Sequence, residues 1–201
     1  MGQGKPRQRG GRTMNHFLAL TLADAPRDRL AVVAERLQAW ELPASWIDPE
    51  DYHVTVAFLG ELSADEAHLL PSAIELIASG LRRPQLRFSG LGAWGGRTEP
   101  KAVFAALDDP DGRCADIHLD LCGGLDLPVD PAFAPHVTIC RPRRAATFDP
   151  PKPGRDWSAL FLANGLADWG DCETTDLVFC CRRDAPGPRY DVLARWALVA
   201  T

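Results

Sequence analysis

His53-Val54-Thr55-Val56-Ala57-Phe58-Leu59-Gly60 is a β-branched and apolar run, bounded before by Pro49 and after by its own Gly60. That composition predicts a strand. Eighty-three residues later the chain returns to nearly the same words, His136-Val137-Thr138-Ile139. The chain has five histidines (16, 53, 68, 118 and 136) and nine threonines in 201 residues. Chance places a threonine two positions after two of five histidines with odds of roughly one in fifty. A single His-x-Thr means little, whereas two, each on a strand in its own half, predict a duplicated architecture.

The flanking segments fit that reading. Residues 16–22 predict an opening strand, and Asp24 an N-cap before a helix with Pro26 in its first turn. Ser63 and Glu66 form a capping box, and Leu70, Ala73, Ile74 and Ile77 make an apolar stripe ending near Gly80. Strands follow at about 85–91 and 101–107, with a glycine-rich turn at Gly95-Gly96 holding Trp94. A helix over about 112–123, a strand over 136–140 stopping at Pro142, and a proline-rich surface loop from 142 to 153 repeat the order. Residues 175–182 and 189–199 predict a closing hairpin turning at Pro186-Gly187-Pro188. The expected fold is α+β: two similar lobes, with two antiparallel sheets flanking a central cleft and helices outside.

The motif spacing has a chemical use. Residues i and i+2 of a strand share a face, so each motif presents an imidazole beside a hydroxyl. With both pairs facing one cleft, Thr55 and Thr138 can donate to the oxygens of a phosphodiester. His53 and His136 then stand on opposite sides of phosphorus as acid and base for in-line displacement. An imidazole pKa near 6.5 allows one neutral and one protonated ring near neutral pH. Arg141, three residues past Thr138, matches phosphate oxygens; strict alternation puts it on the wrong face unless the chain turns at Pro142. The equivalent residue in the first motif, Phe58, reads as a core contact or as an aromatic surface for a base.

Composition narrows the partners. Twenty-two basic against 27 acidic residues give a net charge of −5, and 46% of the chain is apolar. These values exclude a disordered chain, a fibre and a globally basic nucleic-acid coat protein. Residues 1–13 carry four positive charges and no acid, leaving 18 basic and 27 acidic residues, net −9, in residues 14–201. Any phosphate must therefore be held by a local site. The first 13 residues read as a disordered basic tail, with a nucleic-acid-attracting arm or a true start at Met14 as alternatives, and residues 14–201 as a single bilobal domain. Neither a secretory signal nor a membrane span is readable, and six cysteines without a C-x-x-C pair read as buried thiols of a cytoplasmic protein. His16, His68 and His118 have no repeated context and read as structural or surface residues; the six tryptophans read as core, with Trp94, in the glycine-rich turn, the one to examine against the cleft.

At the two motifs, His53-Val54-Thr55-Val56-Ala57-Phe58-Leu59-Gly60 and Pro135-His136-Val137-Thr138-Ile139-Cys140-Arg141, the sequence resembles the two-histidine phosphoesterases. It resembles most the bacterial and archaeal RNA 2′,3′-cyclic phosphodiesterases, also named 2′-5′ RNA ligases. Phe17-Leu18-Ala19-Leu20 and Tyr190-Asp191-Val192-Leu193 before Trp196 support the likeness, which covers about residues 14–199. The resemblance implies metal-independent opening of a terminal 2′,3′-cyclic phosphate to a 2′-phosphomonoester, with no cofactor. It implies His53 as general acid to the leaving O3′, His136 as general base to water, Thr55 and Thr138 as phosphate donors, and Arg141 as a further phosphate contact. The partners implied are RNA 3′ ends or nucleotides bearing a 2′,3′-cyclic phosphate, handled by a monomer away from membranes.

Members of that family often carry a basic residue just before the second motif, where this chain has Asp130-Pro131-Ala132-Phe133-Ala134. Arg97, Arg143 and Arg144 are available to compensate, although each also reads as a solvated surface charge. Other substrates for the same chemistry are a cyclic phosphate on ADP-ribose, a 2′-5′-linked oligonucleotide, or the reverse ligation. A rival of another class is a module that holds RNA ends without turnover, for which Lys or Arg at the histidine positions suits binding better.

Overall fold

The computed structural model describes residues 15–143, 154, 156–165, 167–183 and 189–200. The basic tail, most of the proline-rich loop with Arg144, and the Pro186-Gly187-Pro188 turn lie outside these residues. The elements run β1 (Asn15–Leu22), α1 (Asp24–Gln38), β2 (Ala44–Trp46), β3 (His53–Glu61), α2 (Ala64–Ala78) and β4 (Arg87–Trp94). They continue with β5 (Ala102–Asp108), α3 (Arg113–Gly124), β6 (His136–Pro142), α4 (Trp157–Asn164), β7 (Thr174–Arg182) and β8 (Tyr190–Ala197). The architecture is α+β, as expected.

Local chemistry accounts for most boundaries. The Ser63–Glu66 capping box forms in full and starts α2. Helix α1 instead begins one residue early: Ala23 is its N-cap, its backbone N–H held by the Glu173 carbonyl at 2.9 Å. Asp24 is thus the first helical residue, where its charge faces the positive end of the helix and Arg27 lies 3.1 Å away. Strand β4 runs on to Trp94, and the turn beyond it uses Gly95 and Gly96 at φ of 87° and 93°, values that disfavour any residue with a Cβ.

All eight strands form one antiparallel sheet in the order β4-β5-β6-β3-β1-β7-β8, with β2 alongside the far end of β6. The two expected sheets are the two halves of this sheet, joined at its centre by the single pairing Val54–Val137. The lobes are not the sequential halves of the chain. Apart from β2 and β8, each half runs strand–helix–strand–helix–strand, and the third strand of that series crosses over: β4 pairs with β5 of the second half, and β7 with β1 of the first. Period-two alternation then splits the faces. Leu18 and Leu20 join Leu30, Ile74, Val137, Ile139, Phe161 and Phe179 in a core that spans both lobes under the helices. Phe17 and Ala19 face the other way, with Val178, Cys180 and Tyr190.

Candidate active site

Each motif strand carries a bulge just past its threonine. On β3 the register to β1 jumps from Thr55–Ala19 to Ala57–Leu18, and on β6 the register to β5 jumps from Thr138–Phe104 to Cys140–Val103. Two consecutive residues are therefore buried in each strand: Val56 and Ala57 in one, Ile139 and Cys140 in the other. A bulge shifts the alternation by one, so the residue three past the threonine returns to the threonine's face. That residue is Phe58 in the first strand and Arg141 in the second. Arg141 thus reaches the cleft through a bulge, while Pro142 stays in the strand opposite Ala44. Phe58 is not a core residue; it is 74% exposed on the cleft rim.

A cleft of about 500 Å³ brings His53, Thr55, Phe58, His136, Thr138 and Arg141 together. His53 Nδ1 donates to the Asp51 carbonyl at 2.7 Å, and His136 Nδ1 to the Ala134 carbonyl at 2.9 Å. A carbonyl only accepts, so the proton sits on Nδ1 in both rings and Nε2 is the nitrogen left for chemistry. Among the described residues, nothing bonds either Nε2 or the hydroxyls of Thr55 and Thr138. Four donors or acceptors converge on one space without partners of their own.

The two rings sit in different aromatic brackets. His53 stacks on Phe17, centroids 5.0 Å apart, and meets Tyr190 edge-on at 5.1 Å. His136 lies 4.8 Å from Phe104 and 5.7 Å from Trp94. Phe104 fits because Gly92 faces it across the β4–β5 pair, where a Cβ would lie 2.1 Å from its ring. Burial pushes the His53 imidazole down to about 4, the Asp51 hydrogen bond opposes this, and the charges of His136 and Arg141 add to it. Burial also raises the Tyr190 hydroxyl. His53 is therefore neutral in the empty cleft near neutral pH.

Several site residues escaped the sequence reading. Phe17 and Tyr190 were visible only as members of the opening and closing strands, and Phe104 carried no signal. Arg182, at the end of β7, also lines the cleft. Trp94, the one tryptophan singled out for the cleft, does line it, from the end of β4 rather than from the turn. Two of the proposed compensating arginines are elsewhere: Arg97 lies over the Phe161 ring at 5.8 Å, and Arg143 Nε donates to Ser45 Oγ at 2.7 Å. His68 is exposed. His118 is buried and doubly bonded, Nδ1 donating to the Val56 carbonyl at 2.7 Å and Nε2 accepting from the Asp130 N–H at 3.1 Å. All six cysteines are free and buried. Among the described residues no helix is long and apolar enough to cross a membrane, and no group of three or more His, Cys, Asp or Glu is placed to hold a metal ion.

Comparison with known proteins adds to this geometry. The family model described as LigT like Phosphoesterase matches residues 20–104, which hold the first motif and end before the second. An RNA 2′,3′-cyclic phosphodiesterase of Geobacillus stearothermophilus is 32% identical over 132 residues, covering 63% of this chain. The match spans 41% of that relative's own length. Among solved structures, TT0787 of Thermus thermophilus aligns with a TM-score of 0.71 at 20% identity, over 92% of this chain and 98% of that one. E. coli LigT complexed with phosphate aligns with a TM-score of 0.60 at 23% identity, over 94% and 99%. At such identities the two structures share the fold.

Proposed function

The chain is a relative of the LigT-like phosphoesterases, and on that premise we propose that it hydrolyses the 2′,3′-cyclic phosphate at RNA 3′ ends, without a metal ion, to a 2′-phosphomonoester. The observation that carries this reading is the pair of imidazoles in one cleft, each with Nδ1 tied to a backbone carbonyl and Nε2 free. In the reaction, the Thr55 and Thr138 hydroxyls and the Arg141 guanidinium bind the phosphate oxygens and stabilise the charge that develops there. Water attacks phosphorus and gives its proton to His136 Nε2. The P–O3′ bond breaks, and O3′ takes a proton from His53 Nε2. Phe58 and Trp94, both exposed at the rim, supply aromatic faces for the terminal base. The enzyme is read as a cytoplasmic monomer, in keeping with its buried free thiols.

The depressed pKa of His53 favours a second reading with the roles exchanged, since a ring neutral at pH 7 is ready to act as the base. In the first reading the anionic substrate must recruit the His53 proton. A substrate with sulfur in place of O3′ separates the two, because its leaving group needs no proton. It rescues the alanine variant of the general acid and leaves the variant of the base inactive.

The activity itself is tested with purified protein, a cyclic-phosphate-ended oligonucleotide and EDTA. The expected product is a 2′-phosphate, with turnover falling about 10²–10⁴-fold in either His53→Ala or His136→Ala. Full activity in both variants, or a strict requirement for a divalent metal, overturns the proposal.

A further inference from the structure

Arg182 is the last residue of β7 and the Cα partner of Tyr190, which opens β8. It lines the same cleft as Arg141. Arg189, the residue before Tyr190, is fixed from its backbone, where the N–H donates to both Asp51 carboxylate oxygens at 3.0 and 3.2 Å. The charges of Arg141, Arg189 and Arg182 all act on the Tyr190 hydroxyl, opposed there by Asp51. Among the described residues none of the three arginines forms an ion pair, whereas the neighbouring Arg183 lies 3.7 Å from Asp191. Two cations thus line the cleft and a third acts with them on the Tyr190 hydroxyl, in a protein whose residues 14–201 carry net −9. Their mutual repulsion favours an anion between them.

The part of the cleft beside Thr55 and His136 is different. Past Thr55 and His136 it continues into a hollow of about 270 Å³ walled by Phe58, Trp94, Phe133 and Pro128, with Asp130 as its charged residue. That hollow suits a base and repels a phosphate. An apolar hollow marked by Asp130, adjoining a cleft lined by Arg141 and Arg182, gives the substrate a direction.

We propose that Arg182, supported by Arg189, forms a second anion subsite that takes the phosphate on the 5′ side of the terminal nucleotide. The proposal rests on the cyclic phosphodiesterase reading for the identity of the first phosphate. It names the substrate class more narrowly: a nucleotide with a 5′-side phosphate, in preference to a bare nucleoside 2′,3′-cyclic phosphate. It also supplies the grip that the acidic Asp130 segment before the second motif does not. The same chemistry is offered by a phosphodiester of an RNA strand and by the terminal 5′-phosphate of a small nucleotide.

The test compares three probes: adenosine 2′,3′-cyclic phosphate, the same nucleotide with a 5′-phosphate, and the dinucleotide ApA ending in a 2′,3′-cyclic phosphate. One charge-assisted phosphate contact is expected to raise kcat/KM about tenfold for the second and third probes over the first. That ratio falls to about one in Arg182→Gln and is kept in Arg182→Lys, which retains the charge. It is unchanged in Arg97→Gln, whose guanidinium lies over Phe161 outside the cleft. An advantage for the dinucleotide alone assigns the subsite to an RNA strand, and an equal advantage for both assigns it to any 5′-phosphate. Equal kcat/KM for all three probes in the wild type, or a ratio unmoved by Arg182→Gln, overturns the subsite. If none of the probes is turned over, the hydrolase reading fails, and the subsite is then judged by equilibrium binding of the first two probes. A 5′-phosphate advantage in affinity that Arg182→Gln abolishes upholds it, and equal affinities overturn it.

Discussion

His53 shows how a surface histidine motif becomes a tuned group. Its ring is clamped by one hydrogen bond to the Asp51 carbonyl, by stacking on Phe17 and by an edge-on contact with Tyr190. Asp51 acts twice, since its carboxylate also holds the N–H of Arg189 and so places Tyr190. Burial among these rings disfavours the imidazolium and brings its pKa to about 4, below the ordinary value of about 6.5. Between these two values the unfolded chain binds a proton that the folded chain refuses, so stability falls as pH drops through that window. Imidazole resonances followed by NMR should show one ring titrating near 4 in the free protein. It should move upward when inorganic phosphate fills the cleft; a ring that titrates near 6.5 with and without phosphate contradicts this picture. The His-x-Thr pairs could be recognised from spacing alone. The aromatic bracket could not, because Phe17 and Tyr190 approach His53 from strands at opposite ends of the chain.

The helices matter chiefly for what they hold in place. His118 of α3 joins three segments: its Nδ1 binds the Val56 carbonyl of β3, its Nε2 accepts from Asp130, and its face stacks on Phe133 at 4.4 Å and 4°. The loop from 128 to 134 is thereby tied to the first motif strand, and its Ala134 carbonyl orients His136. Reading His118 as structural identifies its class but not these partners, which no helical pattern encodes. His118→Ala removes a stacked ring and leaves two polar backbone groups without their partner. A loss of about 2–4 kcal/mol is expected by urea denaturation. A loss below about 0.5 kcal/mol would show that the loop is held by other contacts. The bulges belong to this level too. Their burial pattern is the same in both motifs, two outward residues flanking one buried, then two buried and one exposed. Sequence alternation alone put Arg141 on the wrong face.

The exchange of β4 and β7 predicts that the molecule folds as one cooperative unit. Neither half of the chain can complete its own lobe: β1 lacks its neighbour β7, and β5 lacks β4. A core shared by both lobes has the same effect. Chains split in the β4–β5 turn, as residues 1–98 and 99–201, should each give little folded signal by circular dichroism alone and recover it on mixing. Independent folding of either piece would mean that the lobes are autonomous after all.

By itself the sequence determined the α+β class, the two motif strands, the capping box of α2, and His53, Thr55, His136, Thr138 and Arg141 as residues of one cleft. These depend on interactions within a few residues: strand alternation, helical spacing, a capping box, and the chemistry of His, Thr and Arg. The tertiary structure decided which strands pair, where the bulges fall, which rings enclose each imidazole, and that Arg182 joins Arg141 rather than Arg97 or Arg143. Those outcomes depend on hydrogen bonds and packing between segments far apart in the chain, such as His16 opposite Cys181 and Val54 opposite Val137. A local pattern carries no record of such pairings, because the free energy that selects them exists only once the whole sheet has closed around its core.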